Sequence, residues 1–115
     1  MSKYVQIDIR LAASYGQAGL RGALPNLYNL LKNYRYDLVI GKEPSLYEMV
    51  EVLVRIGNDP QVPQTAKRPI TGRIDEFLKI RDEARELLLS RRLNELDRAL
   101  YRLEDLFADL DVNLA

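Results

Sequence analysis

No cysteine occurs in the sequence, which excludes disulfides, thiol nucleophiles and thiolate metal sites. Histidine is absent as well. That removes triads built on His, His-ligated zinc or haem, the Glu-x-x-His di-iron motif and the usual general base near neutral pH. A dominant charge of one sign is the third absence. Lys plus Arg number 17 and Asp plus Glu 17, so no global field advertises a nucleic-acid or membrane partner. No run approaches the roughly 20 apolar residues of a membrane span, and Met1-Ser2-Lys3-Tyr4 does not lead into the apolar core of a signal peptide. The expectation is a cytoplasmic protein without membrane contact and without a cofactor.

What is present describes a globular chain. Its 115 residues, 47% of them apolar, suffice to bury one core, and residues 1–115 read as a single helical domain. The charges are unevenly spread within it. Residues 1–72 carry nine basic and six acidic side chains, and residues 73–115 carry eight and eleven. Such halves either dock on each other within the fold, or leave the basic N-terminal third facing something anionic.

Apolar spacing sets the elements. Val5, Ile7, Ile9 and Leu11 alternate as on a strand, while Tyr4, Ile7, Leu11, Tyr15 and Ala18 recur as on a helix, so residues 3–12 fit either template. Pro25 suits the first position of a helix, where its missing N–H costs nothing; Leu27, Leu30, Leu31 and Tyr34 then form one face. Residues 36–40 read as a short strand or as the exit of that helix, ended by Gly41. Ser45-Leu46-Tyr47-Glu48 has the pattern of a capping box. Met49, Val50, Val52, Leu53, Val54 and Ile56 follow as a band wide enough for a helix buried on more than one side, with Gly57 past its end. Residues 58–72 form a Pro-rich connection between the basic and acidic parts. Pro60, Pro63 and Pro69 argue against a helix through it.

The strongest signal is the run over residues 73–110, which holds no Gly and no Pro. Leu93, Leu96, Leu100, Leu103, Phe107 and Leu110 recur at three and four residues, the seam of a helix that packs on another helix. A continuous helix here would be about 57 Å long, whereas a compact chain of this size has a radius of gyration of about 13 Å. Ile74, Phe77, Arg81, Ala84 and Leu88 follow a heptad phase that the seam from Leu93 does not continue, and the slip falls on Leu89-Ser90-Arg91-Arg92. The lack of Gly or Pro favours a continuous or merely bent helix. The alternative is a hairpin, with Arg91 and Arg92 closing one helix and Asn94 capping the next. The fold class is all-α, or mainly α with one short N-terminal strand: a four- to five-helix bundle with a long C-terminal helix or helical hairpin. A continuous helix makes the six seam residues an interface for a protein partner or for self-association.

Candidate chemistry is sparse. Gly16-x-x-Gly19-x-x-Gly22 lacks the Lys-Ser/Thr pair and spacing of a phosphate loop and reads as structural. Five of the seven tyrosines lie in the first 36 residues among basic side chains, and stacking aromatics interleaved with cations hold single-stranded nucleic acid. The candidates for that contact are Arg10, Arg21, Lys32, Tyr34, Arg35 and Tyr36, with Lys67 and Arg68 from the Pro-rich segment; core packing of the tyrosines is the competing reading. Glu48-x-x-Glu51 and Glu83-x-x-Glu86 pair carboxylates on helix faces, as Mg²⁺ sites do. All-α nucleotide pyrophosphohydrolases use such clusters, but their second pair ending in Asp is not found here. No catalytic residue and no metal ligand is assigned.

The functional expectation is a non-catalytic helical interaction or assembly subunit, within a complex that handles nucleic acid. Small helical subunits of CRISPR effector complexes are similar in size and class, a likeness that no motif carries. The alternative is a small Mg²⁺-dependent all-α nucleotide pyrophosphohydrolase.

Overall fold

The computed structural model describes residues 19–114. Residues 3–12, read as strand or helix, lie outside the described residues, as do Arg10 and Gly16. Among the described residues every regular element is a helix: α1 (Gly19–Ala23), α2 (Pro25–Asn33), α3 (Asp37–Lys42), α4 (Leu46–Asn58), α5 (Gln64–Thr71), α6 (Ile74–Leu89) and α7 (Leu93–Asn113). The class is all-α, with five helices of eight residues or more and two short ones.

Pro25 opens α2 as its spacing predicts, but Leu24 at the cap position offers no side-chain acceptor. The acceptor comes from the far end of the chain. Asp111 on α7 takes the Leu27 N–H at 2.8 Å, and its backbone carbonyl takes Asn26 Nδ2 at 2.9 Å. Because the first N–H groups of a helix have no partner in their own helix, this buried carboxylate ties α2 to α7. Residues 36–40 are neither strand nor helix exit: they lie at the start of α3, which runs through Gly41 to Lys42. The capping box forms, with Glu48 N–H donating to Ser45 Oγ at 3.2 Å and Ser45 N–H to Glu48 Oε1 at 3.3 Å. The helix it starts, α4, buries Met49, Val50, Val52, Leu53 and Ile56 and continues through Gly57 to Asn58.

The Pro-rich segment is not helix-free. Pro63 precedes α5, and Pro69 lies within it. In so short a helix Pro69 forgoes a single bond, to the carbonyl of exposed Thr65. Val62 and Ile70 are buried to 2% and 0% exposure, and that burial outweighs one lost hydrogen bond.

The expected continuous helix over residues 73–110 is also overturned. Arg91 takes φ 60°. Arg91 N–H donates to the Leu88 carbonyl at 3.1 Å and Arg92 N–H to that of Leu87 at 2.9 Å. These two bonds with one left-handed residue are a Schellman motif, which stops α6 without a glycine. Asn94 does not cap α7, because Arg92 holds that position. The same device ends α2: Arg35 has φ 65°, and Tyr36 N–H reaches back to the Leu31 carbonyl at 2.8 Å.

Helices α6 and α7 therefore run antiparallel. Phe77 packs edge-on against Phe107 at 4.8 Å between ring centres, and Arg73 pairs with Asp109 at 3.1 Å. The main core joins Leu27, Leu30 and Leu31 of α2 and the α4 band to Phe77, Ile80, Leu103, Phe107 and Leu110. A second cluster of Ala84, Leu87, Leu96, Ala99 and Leu100, with Tyr47 against it, closes the far half of the hairpin. The described residues measure 40 × 28 × 22 Å with a radius of gyration of 13.9 Å. No helix among them is long and apolar enough to cross a membrane.

Candidate functional site

The seam proposed as an interface is interior. Leu96, Leu100, Leu103, Phe107 and Leu110 are 8% exposed or less, and only Leu93, at 42%, reaches the surface. The hairpin turn explains the correction: once the chain reverses at Arg91, α6 itself supplies the helix on which the seam packs. Among the described residues the large apolar side chains that remain outside are Leu38, Leu89, Leu93, Tyr101 and Val112.

The residues proposed for nucleic acid divide in two. Tyr36 and Lys67 are committed to the fold. Tyr36 Oη donates to Asp59 Oδ2 at 2.7 Å, Gln61 N–H to Asp59 Oδ1 at 2.8 Å, and Lys67 Nζ to the Asp59 carbonyl at 2.8 Å. This knot fastens the α2–α3 junction to the turn between α4 and α5. Burial, and then the bond to Asp59, push the Tyr36 phenol up to about 12. The same bond, with that from Gln61, holds the Asp59 carboxyl below its ordinary value. Lys67 is 7% exposed, so its charge is not available to a phosphate. Tyr34 is half-buried and packs on the main core. Arg21, Lys32, Arg35 and Arg68 are exposed, and Arg21 lies over the Tyr28 ring at 5.7 Å.

The two carboxylate pairs do not assemble. Glu48 serves the capping box, Glu51 pairs with Arg81 at 3.4 Å, and Glu83 pairs with Arg102. Among the described residues no three His, Cys, Asp or Glu side chains come together as a metal site.

What the fold does assemble is a pair of charged grooves. The first, of about 410 Å³, lies between α3, α4 and α6. Its cations are Lys42, Arg55, Arg81 and Arg85 against Glu48 and Glu51, and Val39, Tyr47 and Val52 supply apolar wall. Arg81 is engaged by Glu51 and Asp82. Lys42, Arg55 and Arg85 are exposed and form no ion pair among the described residues. Leu38, 80% exposed, stands at the edge.

The second groove, of about 450 Å³, lies between α6 and α7. Glu76, Glu83, Asp105 and Asp109 face Lys79 and Arg102 there, around Ile80 and Leu106. Beside it, burial and then the Asp105 carboxylate raise the carboxyl of Glu104. Sequence reasoning did not single out Lys42, Arg55 and Arg85, nor Glu76 and Asp105. They come from separate helices with no local motif, and only the antiparallel turn at Arg91 and the packing of α4 on α6 bring each group together.

No protein-family model, curated protein or solved structure matches the chain.

Proposed function

We propose that the protein is a non-catalytic interaction subunit whose working surface is the basic groove between α3, α4 and α6. The observation that carries this reading is the trio Lys42, Arg55 and Arg85, left without ion pairs among the described residues beside an 80% exposed leucine. Cations around apolar wall suit an acidic and apolar protein surface: charge gives rate and register, and the leucine and Tyr47 give buried area. Base stacking has less support. Tyr34 and Tyr36 are bound into the fold, and the most exposed tyrosine among the described residues, Tyr101, shares the α7 surface with Asp97 and Asp105, one turn away on either side.

Fluorescence anisotropy tests this with a labelled peptide of alternating Glu and Leu and a labelled single-stranded oligonucleotide. Saturable peptide binding that drops at least tenfold in Lys42→Ala/Arg85→Ala supports the reading. Peptide binding unchanged by those substitutions would sink it. Tight oligonucleotide binding that falls steeply with salt, with none to the peptide, would replace it with a nucleic-acid function.

A further inference from the structure

We infer, building on the interaction reading of the basic groove, that it pairs with the acidic α6–α7 face of a second copy, so that copies of this chain stack head to tail. The two grooves are opposite in net charge. The first carries four cations and two carboxylates, and the second four carboxylates and two cations. In each, part of the charge has no ion pair among the described residues: Lys42, Arg55 and Arg85 outnumber Glu48 on one side, and Glu76 and Asp105 outnumber Lys79 on the other. Each groove also has an apolar floor, and Leu38 projects from the rim of the basic one.

Helix α6 contributes to both grooves and fixes how they are disposed. Arg81 and Arg85 line the basic groove, and Glu83, midway between them in sequence, lines the acidic one. Two residues along a helix are a rotation of about 200°, so Glu83 leaves α6 on nearly the opposite side from both arginines. A contact between two different patches on opposite sides cannot close into a two-fold dimer; it builds an open stack, or a ring of three or more copies. The formal charge of zero adds no net repulsion between copies as they stack.

Sedimentation velocity of the full chain tests this. The wild type is expected to grow beyond its 13.3 kDa as concentration rises in low salt, and to return to a single chain at high salt. Two variants separate the faces: Lys42→Ala/Arg85→Ala for the basic groove and Glu76→Ala/Asp105→Ala for the acidic one. All four positions are exposed, and unchanged melting curves confirm that both variants fold. Each alone should be monomeric. Mixed in equal amounts they retain one working face each and should form a dimer with nothing larger. A wild type that stays monomeric in low salt overturns the stacking, as do single variants that assemble like the wild type or a mixture that stays monomeric. If stacking fails while the Glu/Leu peptide still binds the basic groove, the interaction reading stands and only its occupant is wrong. If the peptide fails too, both fall.

Discussion

Replacing Asp111 by Ala tests a side-chain cap that spans 84 residues of sequence. Its carboxylate, 7% exposed, accepts the Leu27 N–H at 2.8 Å, at a helix start where Leu24 supplies no cap and Pro25 has no N–H. Losing a side-chain cap costs about 0.5–2 kcal/mol, and leaving a buried donor without its acceptor about 1–3 kcal/mol. These describe the same lost bond, so they are alternatives rather than a sum, and about 2 kcal/mol is the expected destabilisation. For a domain near 100 residues that lowers Tm by about 10 °C. Asp111→Asn keeps an acceptor but loses the charge favoured at a helix N-terminus, and should cost about half as much. Asn26→Ala removes only a half-buried donor to the Asp111 carbonyl and should cost under about 1 kcal/mol. Urea unfolding followed by circular dichroism measures all three. A loss below about 0.5 kcal/mol for Asp111→Ala would refute the capping role and leave α2 held by its leucines alone.

Three further outcomes follow from the fold. Arg91→Gly should stabilise by about 1 kcal/mol, because a left-handed residue with a Cβ carries roughly 1–2 kcal/mol of strain and glycine returns part of that through its larger unfolded-state entropy; thermal melts check this. Leu103→Ala should cost about 2–5 kcal/mol, while Leu93→Ala stays within about 0.5 kcal/mol; equal costs for the two in urea titrations would contradict the burial of the seam. Tyr36 keeps its proton to about pH 12 in the folded chain, whereas an unfolded tyrosine loses it near pH 10. Its contribution is therefore complete below about pH 10 and lost as pH rises through about 12. The urea midpoint should fall across that window in the wild type and less in Tyr36→Phe.

Features governed by local spacing were legible in the sequence. The Ser45–Glu48 capping box, Pro25 at a helix start and the alternation of three and four along α7 each depend on residues within two turns of one another. The misreadings came where a distant contact or an unusual backbone angle outweighed local preference. Arginine has no tendency toward φ 60°, yet Arg91 adopts it because the docking of α7 on α6 buries Leu96, Ala99 and Leu103. Pro69 signals a break, but the burial of Ile70 keeps α5 helical around it. Lys67 reads as a solvated loop cation until the Asp59 carbonyl is placed beside it. The candidate site was the least legible part, since its charges gather from helices far apart in sequence.

The bond between Asp111 and Leu27 also sets an order of events. The two residues are 84 apart, so at about 5–20 residues per second of synthesis the helix waits roughly 4–17 s for its cap to be made. Leu27, Leu30 and Leu31 wait equally long for the core partners Leu103, Phe107 and Leu110. During that interval the α2 face has its neighbours from α3 and α4 but lacks the α7 side of its core, so it stays partly uncovered. A chain cut short before Asp111 would leave the Leu27 N–H at the start of α2 without this acceptor.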